Sequence, residues 1–314
     1  KRGVIRRTSG SSGTPLSVFF DNQAWDISEA IYVRSLLSTG YSPFHKMVVS
    51  NPFIVPEKKW FNHIGLFNKK YVDMKWSVSK QIEFFKKYKG CTLYSYPTLL
   101  RLLALNTKGN ELGFERIIST GEVLTEPTRK LIEKTFRTKV FDHYGTMECN
   151  RIAWECKKRE GMHIDMDSHV VEFDKDNREV DSGELGELII TNLHNLSFPL
   201  IRYRQGDFGV KSSHKCSCGR TLPLLEKLHG RENDFIVSRN YGRISPIPID
   251  VAISKVKGIM QYRFEQDKIN QFVVYVVPDE QFDDLSTNML YHQIYEVFND
   301  NNISLRIKLV DKIN

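Results

Sequence analysis

Asp142-His143-Tyr144-Gly145-Thr146-Met147-Glu148 places two carboxylates, an aromatic ring, a glycine and a hydroxyl in one short run. Residues 139–142 read as a buried strand, so the run would leave the sheet at the carboxyl end of a strand, where open α/β sheets keep their ligands. There the ring can stack on a base, the glycine can admit a phosphate, and a carboxylate can hold Mg2+. An ordinary strand exit with a surface Glu is the alternative. Earlier, Thr8-Ser9-Gly10-Ser11-Ser12-Gly13-Thr14-Pro15 offers small residues whose N–H groups and hydroxyls can wrap a polyphosphate. A Gly/Ser linker has the same composition, and the Gly-Lys-Ser/Thr ending of a Walker loop is missing from the run. Later come Ile201-Arg202-Tyr203-Arg204-Gln205-Gly206-Asp207 and Gly230-Arg231-Glu232-Asn233-Asp234. A carboxylate in such a place can accept both ribose hydroxyls and a guanidinium can donate to sugar or phosphate, although each run is also a common surface turn. Cys216-Ser217-Cys218-Gly219 sets two thiols one residue apart, and with Cys156 and His163 they could complete a tetrahedral site of three sulfurs and one nitrogen. Unligated thiols are the alternative there.

These residues need a scaffold, and the apolar pattern supplies one. Residues 21–37 repeat at helical spacing, as do 78–88, 98–105 and 126–136, while 46–49, 92–95, 116–119 and 139–142 read as short buried strands between them. That alternation predicts a parallel α/β sheet. Beyond Gly161 the texture turns to strands, at 169–173, 185–192 and 201–203, which predicts a more antiparallel subdomain over about 161–230. A polar stretch at 230–234 predicts a hinge between a large part, 1–230, and a small α+β lobe, 231–314. In the lobe, 249–256 and 285–298 read as helices, 261–266 and 271–277 as a hairpin, and 303–309 as a last strand. Such a lobe could close over a site on the larger part.

The 314 residues, 40% hydrophobic and 26% charged, belong to an ordinary globular protein. The net charge of +7 is spread over scattered lysines and arginines interleaved with acids, which argues against nucleic acid as partner. No apolar run approaches the length of a membrane helix, so no membrane insertion is expected. Residues 1–7 are basic without a following apolar stretch, so the expected location is the cytoplasm. Five cysteines are too few and too odd for a disulfide framework, which leaves reduced thiols or a metal.

Taken together and in this order, the runs resemble the motif series of the adenylate-forming superfamily of acyl- and aryl-CoA ligases. Ser119-Thr120-Gly121-Glu122, Gly183-Glu184-Leu185-Gly186-Glu187-Leu188 with Thr191, and Phe198-Pro199-Leu200 are similar to the phenylacetate-CoA ligase branch. Tyr241-Gly242-Arg243-Ile244-Ser245-Pro246 resembles the capsule-biosynthesis members of that branch. The resemblance implies that Thr8, Ser9, Gly10, Ser11, Ser12, Gly13 and Thr14 cradle the ATP triphosphate, and that Gly121, Glu122 and Tyr144 flank adenine with Asp142 at its edge. It implies Thr146 at the α-phosphate, Glu148 on Mg2+, and Asp207 and Arg231 on the ribose. A small-molecule carboxylate would then attack the α-phosphate, giving an acyl-adenylate and pyrophosphate, with coenzyme A as the expected acceptor. Catalysis would rest on positioning and charge neutralisation. The branch also puts a Cys and a His where Cys156 and His163 stand, which makes Zn2+ the expected occupant of the four-residue set, in a structural role. Cys91 and Cys149 are expected to be non-ligands. Tyr94, Tyr96, Ile118 and His143 are candidate walls of the acid pocket.

Three departures qualify the resemblance. Asn233 stands where the family hinge has an acid, few residues precede the phosphate loop, and Lys308 and Lys312 lack the Gly-Lys context of the adenylation lysine. The expectation is of a partial large domain with uncertain activity as a fragment. Two other outcomes stay open, AMP transfer to a deazaflavin coenzyme without CoA, and a nucleotide-binding scaffold in polysaccharide assembly. Oligomeric state is not legible.

Overall fold

A computed structural model describes residues 3–8, 15–50, 60–300 and 302–313. Its first elements are the hairpin of β1 (Gly3–Arg7) and β2 (Ser17–Asp21), followed directly by α1 (Asn22–Ser38). Asp21 stands outside that helix as its cap, its carboxylate accepting the Ala24 N–H at 2.9 Å. β2 therefore separates the Ser/Gly run from the helix, which the sequence had seemed to bring together. The base of the hairpin is closed by Thr8 N–H to the Leu16 carbonyl and Leu16 N–H to Thr8 Oγ1, both at 2.9 Å.

The α/β alternation follows. β3 (Met47–Val49), β4 (Lys69–Tyr71), α2 (Val78–Lys86), β5 (Thr92–Ser95), α3 (Pro97–Asn106), β6 (Arg116–Thr120), α4 (Glu126–Phe136) and β7 (Val140–Thr146) build a parallel sheet in the order β4-β3-β5-β6-β7. Its helices bury one stripe each, as Thr128, Ile132 and Phe136 do at four-residue spacing on α4. Phe85, Leu100, Leu103 and Ile117 join Ile132 and Phe136 in a core closed to solvent. Burying such side chains contributes roughly 1.5–3 kcal/mol each.

The sheet does not stop at β7. β8 (Asn150–Glu155) pairs antiparallel with it, and β9 (Met162–Ile164), β10 (His169–Lys175), β11 (Arg178–Glu179), β12 (Leu185–Asn192), β13 (Tyr203–Lys211) and β14 (Leu224–Arg231) carry on in the order β8-β9-β14-β13-β12-β10-β11. The strand-rich stretch is thus the antiparallel half of one twelve-stranded sheet. The strand expected at 201–203 begins at Tyr203, because the chain bends first at Arg202, whose φ of 47° lies in the left-handed region.

Beyond β14 a small C-terminal domain has its own core. It comprises β15 (Ile236–Ser238), β16 (Gly242–Ile244), α5 (Ile247–Ser254), β17 (Ile259–Lys268), β18 (Gln271–Pro278), α6 (Asp284–Phe298) and β19 (Ser304–Leu309). Phe272 stacks on Phe298 at 4.4 Å between the β17-β18-β19 sheet and α6, with Leu290, Ile294 and Val274 around them. Among the described residues no helix is long and apolar enough to cross a membrane.

Candidate active site

An open cleft of about 2520 Å³ runs between the ends of the parallel strands and the small domain. Drug-sized pockets occupy roughly 300–1,000 Å³, so this one has room for more than one substrate. Thr8, Gly121, Glu122, Asp142, Tyr144, Thr146, Glu148, Asp207 and Arg231 all line it. Ser9, Gly10, Ser11, Ser12, Gly13 and Thr14 lie outside the described residues.

Three runs distant in sequence meet through Asp207. Its carboxylate accepts the Tyr144 hydroxyl at 2.7 Å and lies 3.4 Å from Arg231 Nε, its register partner across β13 and β14. Gln205 Nε2 donates to the same Tyr144 oxygen. Burial raises the Asp207 pKa, while Tyr144 and Arg231 pull it back. At the exit of β7, Thr146 Oγ1 accepts the Cys149 N–H at 3.1 Å, and half-buried Glu148 bonds the Tyr203 side chain. Glycine is required at 145, between Tyr144 and Thr146, since a Cβ there would sit 2.3 Å from the Asn150 carbonyl oxygen. At Gly121, whose φ is 82°, an added Cβ would likewise sit 2.2 Å from the Tyr96 ring. Glu122 is committed to structure. Its carboxylate accepts the Thr98 N–H at 2.9 Å and the Thr98 hydroxyl at 2.6 Å, capping α3, whose own N-cap residue offers no side-chain bond.

Asp142 is buried against Glu155, whose carboxylate accepts the Asp142 N–H at 2.8 Å and is held by Arg129 of α4 at 2.8 and 3.0 Å. Burial first, then the Glu155 charge, push the Asp142 carboxyl up to about 7, against partial relief from Arg129.

Of the suggested pocket walls, Tyr94, Tyr96 and His143 line the cleft. Ile118 does not. It shares a face with Tyr94, its register partner on β5, but is fully closed off in a core with Leu36, Tyr41 and Met47. Sequence reasoning missed Arg151, Tyr32 and Lys69 on the same wall. A lone arginine ahead of the apolar Ile152-Ala153-Trp154 was the available signal for the first. Lys308 sits on β19 with its ammonium 5.3 Å from the Tyr275 ring, away from the cleft lining.

Cys156, His163, Cys216 and Cys218 come together, their ligand atoms all within 4.8 Å of one another. Cys156 follows β8, His163 lies on β9, and the other two sit in the turn between β13 and β14. The Cys156 and Cys216 sulfurs are 3.6 Å apart, and Cys218 Sγ is 3.4 Å from His163 Nε2. Bonds of about 2.3 Å to sulfur and 2.0–2.1 Å to nitrogen put tetrahedral edges at about 3.5–3.8 Å, so the donor set and its spacing fit Zn2+. Burial opposes thiolate formation at Cys218, but the Arg220 N–H and guanidinium and the neighbouring thiols outweigh it, bringing the thiol down to about 7. Cys91 and Cys149 are buried elsewhere, in the parallel-sheet core and beneath β8, and burial pushes each up to about 12.

Residues 236–314 match the family described as CapK C-terminal domain. Over 95% of its length the chain is 26% identical to Protein CapK of Staphylococcus aureus, covering 68% of that protein. It is 23% identical to the phenylacetate-coenzyme A ligase of Thermus thermophilus over 82% of this chain and 61% of the ligase. The chain is a homologue of CapK and of the phenylacetate-coenzyme A ligases. Its fold is that of the adenylate-forming enzymes. The crystal structure of 2-hydroxyisobutyryl-CoA ligase in the postadenylation state superposes with a TM-score of 0.83 at 20% identity, over 99% of this chain and 71% of that one. The same ligase in its thioesterification state superposes with a TM-score of 0.65.

Proposed function

We propose that the protein activates a carboxylic acid with ATP, forming an acyl-adenylate that is passed to coenzyme A. The observation that carries this reading is the joining of Tyr144, Asp207 and Arg231 at one end of a cleft whose other walls hold Thr146 and Glu148. Tyr144 offers a ring for adenine, Asp207 an acceptor and Arg231 a donor for the ribose, and Thr146 a hydroxyl for the α-phosphate. Glu148 would hold Mg2+, which when bound neutralises phosphate charge. An oxygen of the acid attacks the α-phosphorus, the bond to the bridging oxygen breaks, and pyrophosphate leaves with that electron pair. No enzyme group bonds to substrate, so the chain contributes orientation and fixed charges. The Ser9–Thr14 run is suited to the departing phosphates. Residues 230–234 would serve as the hinge between a large part over 1–230 and a lobe over 231–314, and the separate core of the small domain supports that division. Zn2+ on the three cysteines and His163 would be structural, since all four ligands come from protein.

Hydroxylamine trapping with a panel of acids reads adenylate formation, and thiol release or consumption reads CoA transfer. The expected result is hydroxamate with at least one acid, dependent on ATP and Mg2+. Glu148→Gln should cut pyrophosphate release at least tenfold while leaving the melting temperature within a few degrees, since this half-buried side chain keeps an amide that can still bond Tyr203. Unchanged release would remove the Mg2+ role from Glu148. Hydroxamate without CoA consumption would favour AMP transfer to another acceptor.

A further inference from the structure

The fold meets three of its other arginines with partners suited to a guanidinium. Arg129 has Glu155 in a two-pronged pair, Arg34 has Asp165 and Asp167, and Arg101 donates to the Met260 and Ile259 carbonyls. Arg151 differs. It is buried on β8 at 9% exposure, lines the cleft, and reaches across β7 to two neutral oxygens, the Tyr94 hydroxyl and, at 3.5 Å, Thr120 Oγ1. Its Nε has no hydrogen-bond partner, and among the described residues no carboxylate lies within ion-pair distance.

The surroundings are as short of negative charge. The Arg151 guanidinium lies 5.7 Å from the Tyr32 ring centroid and 5.9 Å from that of Tyr94. The Lys69 ammonium sits 4.5 Å from the Tyr32 ring, so that ring faces two cations. His143, beside Tyr94, is buried with neither ring nitrogen bonded. Glu29 bears electrostatically on Tyr32. A buried cation left with neutral partners is costly, and an anion that arrives there recovers much of the cost.

We propose that this wall holds a second carboxylate of the substrate, making the acid to be activated a dicarboxylic acid. The inference rests on the acid-activating reading above. The planar guanidinium fork matches a carboxylate, Lys69 adds charge, and the neutral His143 imidazole can donate one further bond. The nucleotide's own phosphates are the competing anion. They are given groups on the other side of β7: Tyr144, one residue from His143 and so on the opposite face of the strand, bonds Asp207, with Thr146 and Glu148 beyond it. Aromatic walls from Tyr32, Tyr94 and Tyr96 suit the carbon chain between the two carboxylates.

Calorimetric titration of the AMP-loaded protein with malonate, succinate, glutarate and adipate, each against its monomethyl ester, tests this without requiring turnover. One diacid should bind roughly ten- to a hundredfold tighter than its half-ester, the range for a charged hydrogen bond. Arg151→Met should erase that preference and leave AMP affinity unchanged. Arg151→Gln provides the same loss of charge with a polar side chain retained, and Arg151→Lys should keep a smaller preference. The proposal is overturned if diacid and half-ester bind alike, if no diacid binds, or if losing the arginine weakens AMP or ATP as much as the diacid. If the diacid preference holds but no acid yields hydroxamate, the acid-activating reading falls and the carboxylate site stands.

Discussion

Asp142 is surrounded by groups that make its ionised form expensive: it is buried, Glu155 is its neighbour, and Arg129 is already spent on Glu155. With its carboxyl raised to about 7 from an ordinary 3.8, the folded state binds that proton more tightly than the unfolded chain does. Folding is therefore favoured at low pH, and the contribution is lost as pH rises from the unfolded value towards 7, at up to about 1.4 kcal/mol per pH unit for one proton. Above that window the penalty is full and constant. Asp142→Asn should gain stability over the parent progressively between pH 4 and 7, by urea denaturation at each pH. A variant that tracks the parent across this range would remove the buried proton. Both the neutral acid and the amide can donate and accept at once, as the edge of adenine requires, so Asn should preserve AMP affinity where Ala weakens it.

At the scale of elements, the four metal-type ligands tie the strands that follow Tyr144 to the turn that follows Asp207, so one ion would brace both sides of the proposed nucleotide site. Because the unfolded chain has no preformed site, metal affinity becomes folding energy. Purified protein should carry one zinc per chain, and a chelator should lower its melting temperature and ATP affinity together, with zinc restoring both. Cys218→Ser should copy the chelator, whereas Cys91→Ala, in the parallel-sheet core, should keep its zinc. Protein free of zinc under reducing conditions, with Cys218→Ser melting like the parent, would refute the clasp. The spacing of these ligands was legible because metal chemistry constrains residue type so strongly. Helices such as Glu126–Phe136 were legible through their apolar stripe, and Thr92–Ser95 and Leu185–Asn192 through their short apolar runs. β8 and β14 were not. Arg-Ile-Ala-Trp lacks alternation because both faces are covered, and Leu-Leu-Glu-Lys-Leu-His reads equally well as helix. β1 was hidden beside a basic stretch, and Ile118 was misjudged because the right face of a strand does not say how deep a residue lies beneath its neighbours. Arg151 was missed with β8, since a cation becomes informative only once its missing anion can be seen.

For the molecule as a whole, the question is how firmly the small domain sits on the large part. Each has its own apolar core, and the contacts between them include a compact polar set. Arg101 of α3 donates to the carbonyls of Met260 at 2.6 Å and Ile259 at 2.9 Å, at the start of β17. Thr125, just before α4, and Tyr262 of β17 both donate to the Asp250 carboxylate on α5. Polar contacts of this kind hold a particular orientation yet cost little to break when water can replace them, unlike a shared apolar core. Removing Arg101 should therefore free the domain without unfolding it. A charged hydrogen bond is worth about 1.5–3 kcal/mol, so Arg101→Ala should speed amide exchange in β17 and around residues 232–236 by about tenfold or more. Exchange in the core of the parallel sheet should stay as it was. AMP, which the proposed site would seat against Asp207 and Arg231 next to that segment, should slow the exchange again in parent and variant alike. Exchange rising equally throughout the chain would mean that Arg101 serves global stability instead, and no change at all would mean that the two parts are held by contacts other than these.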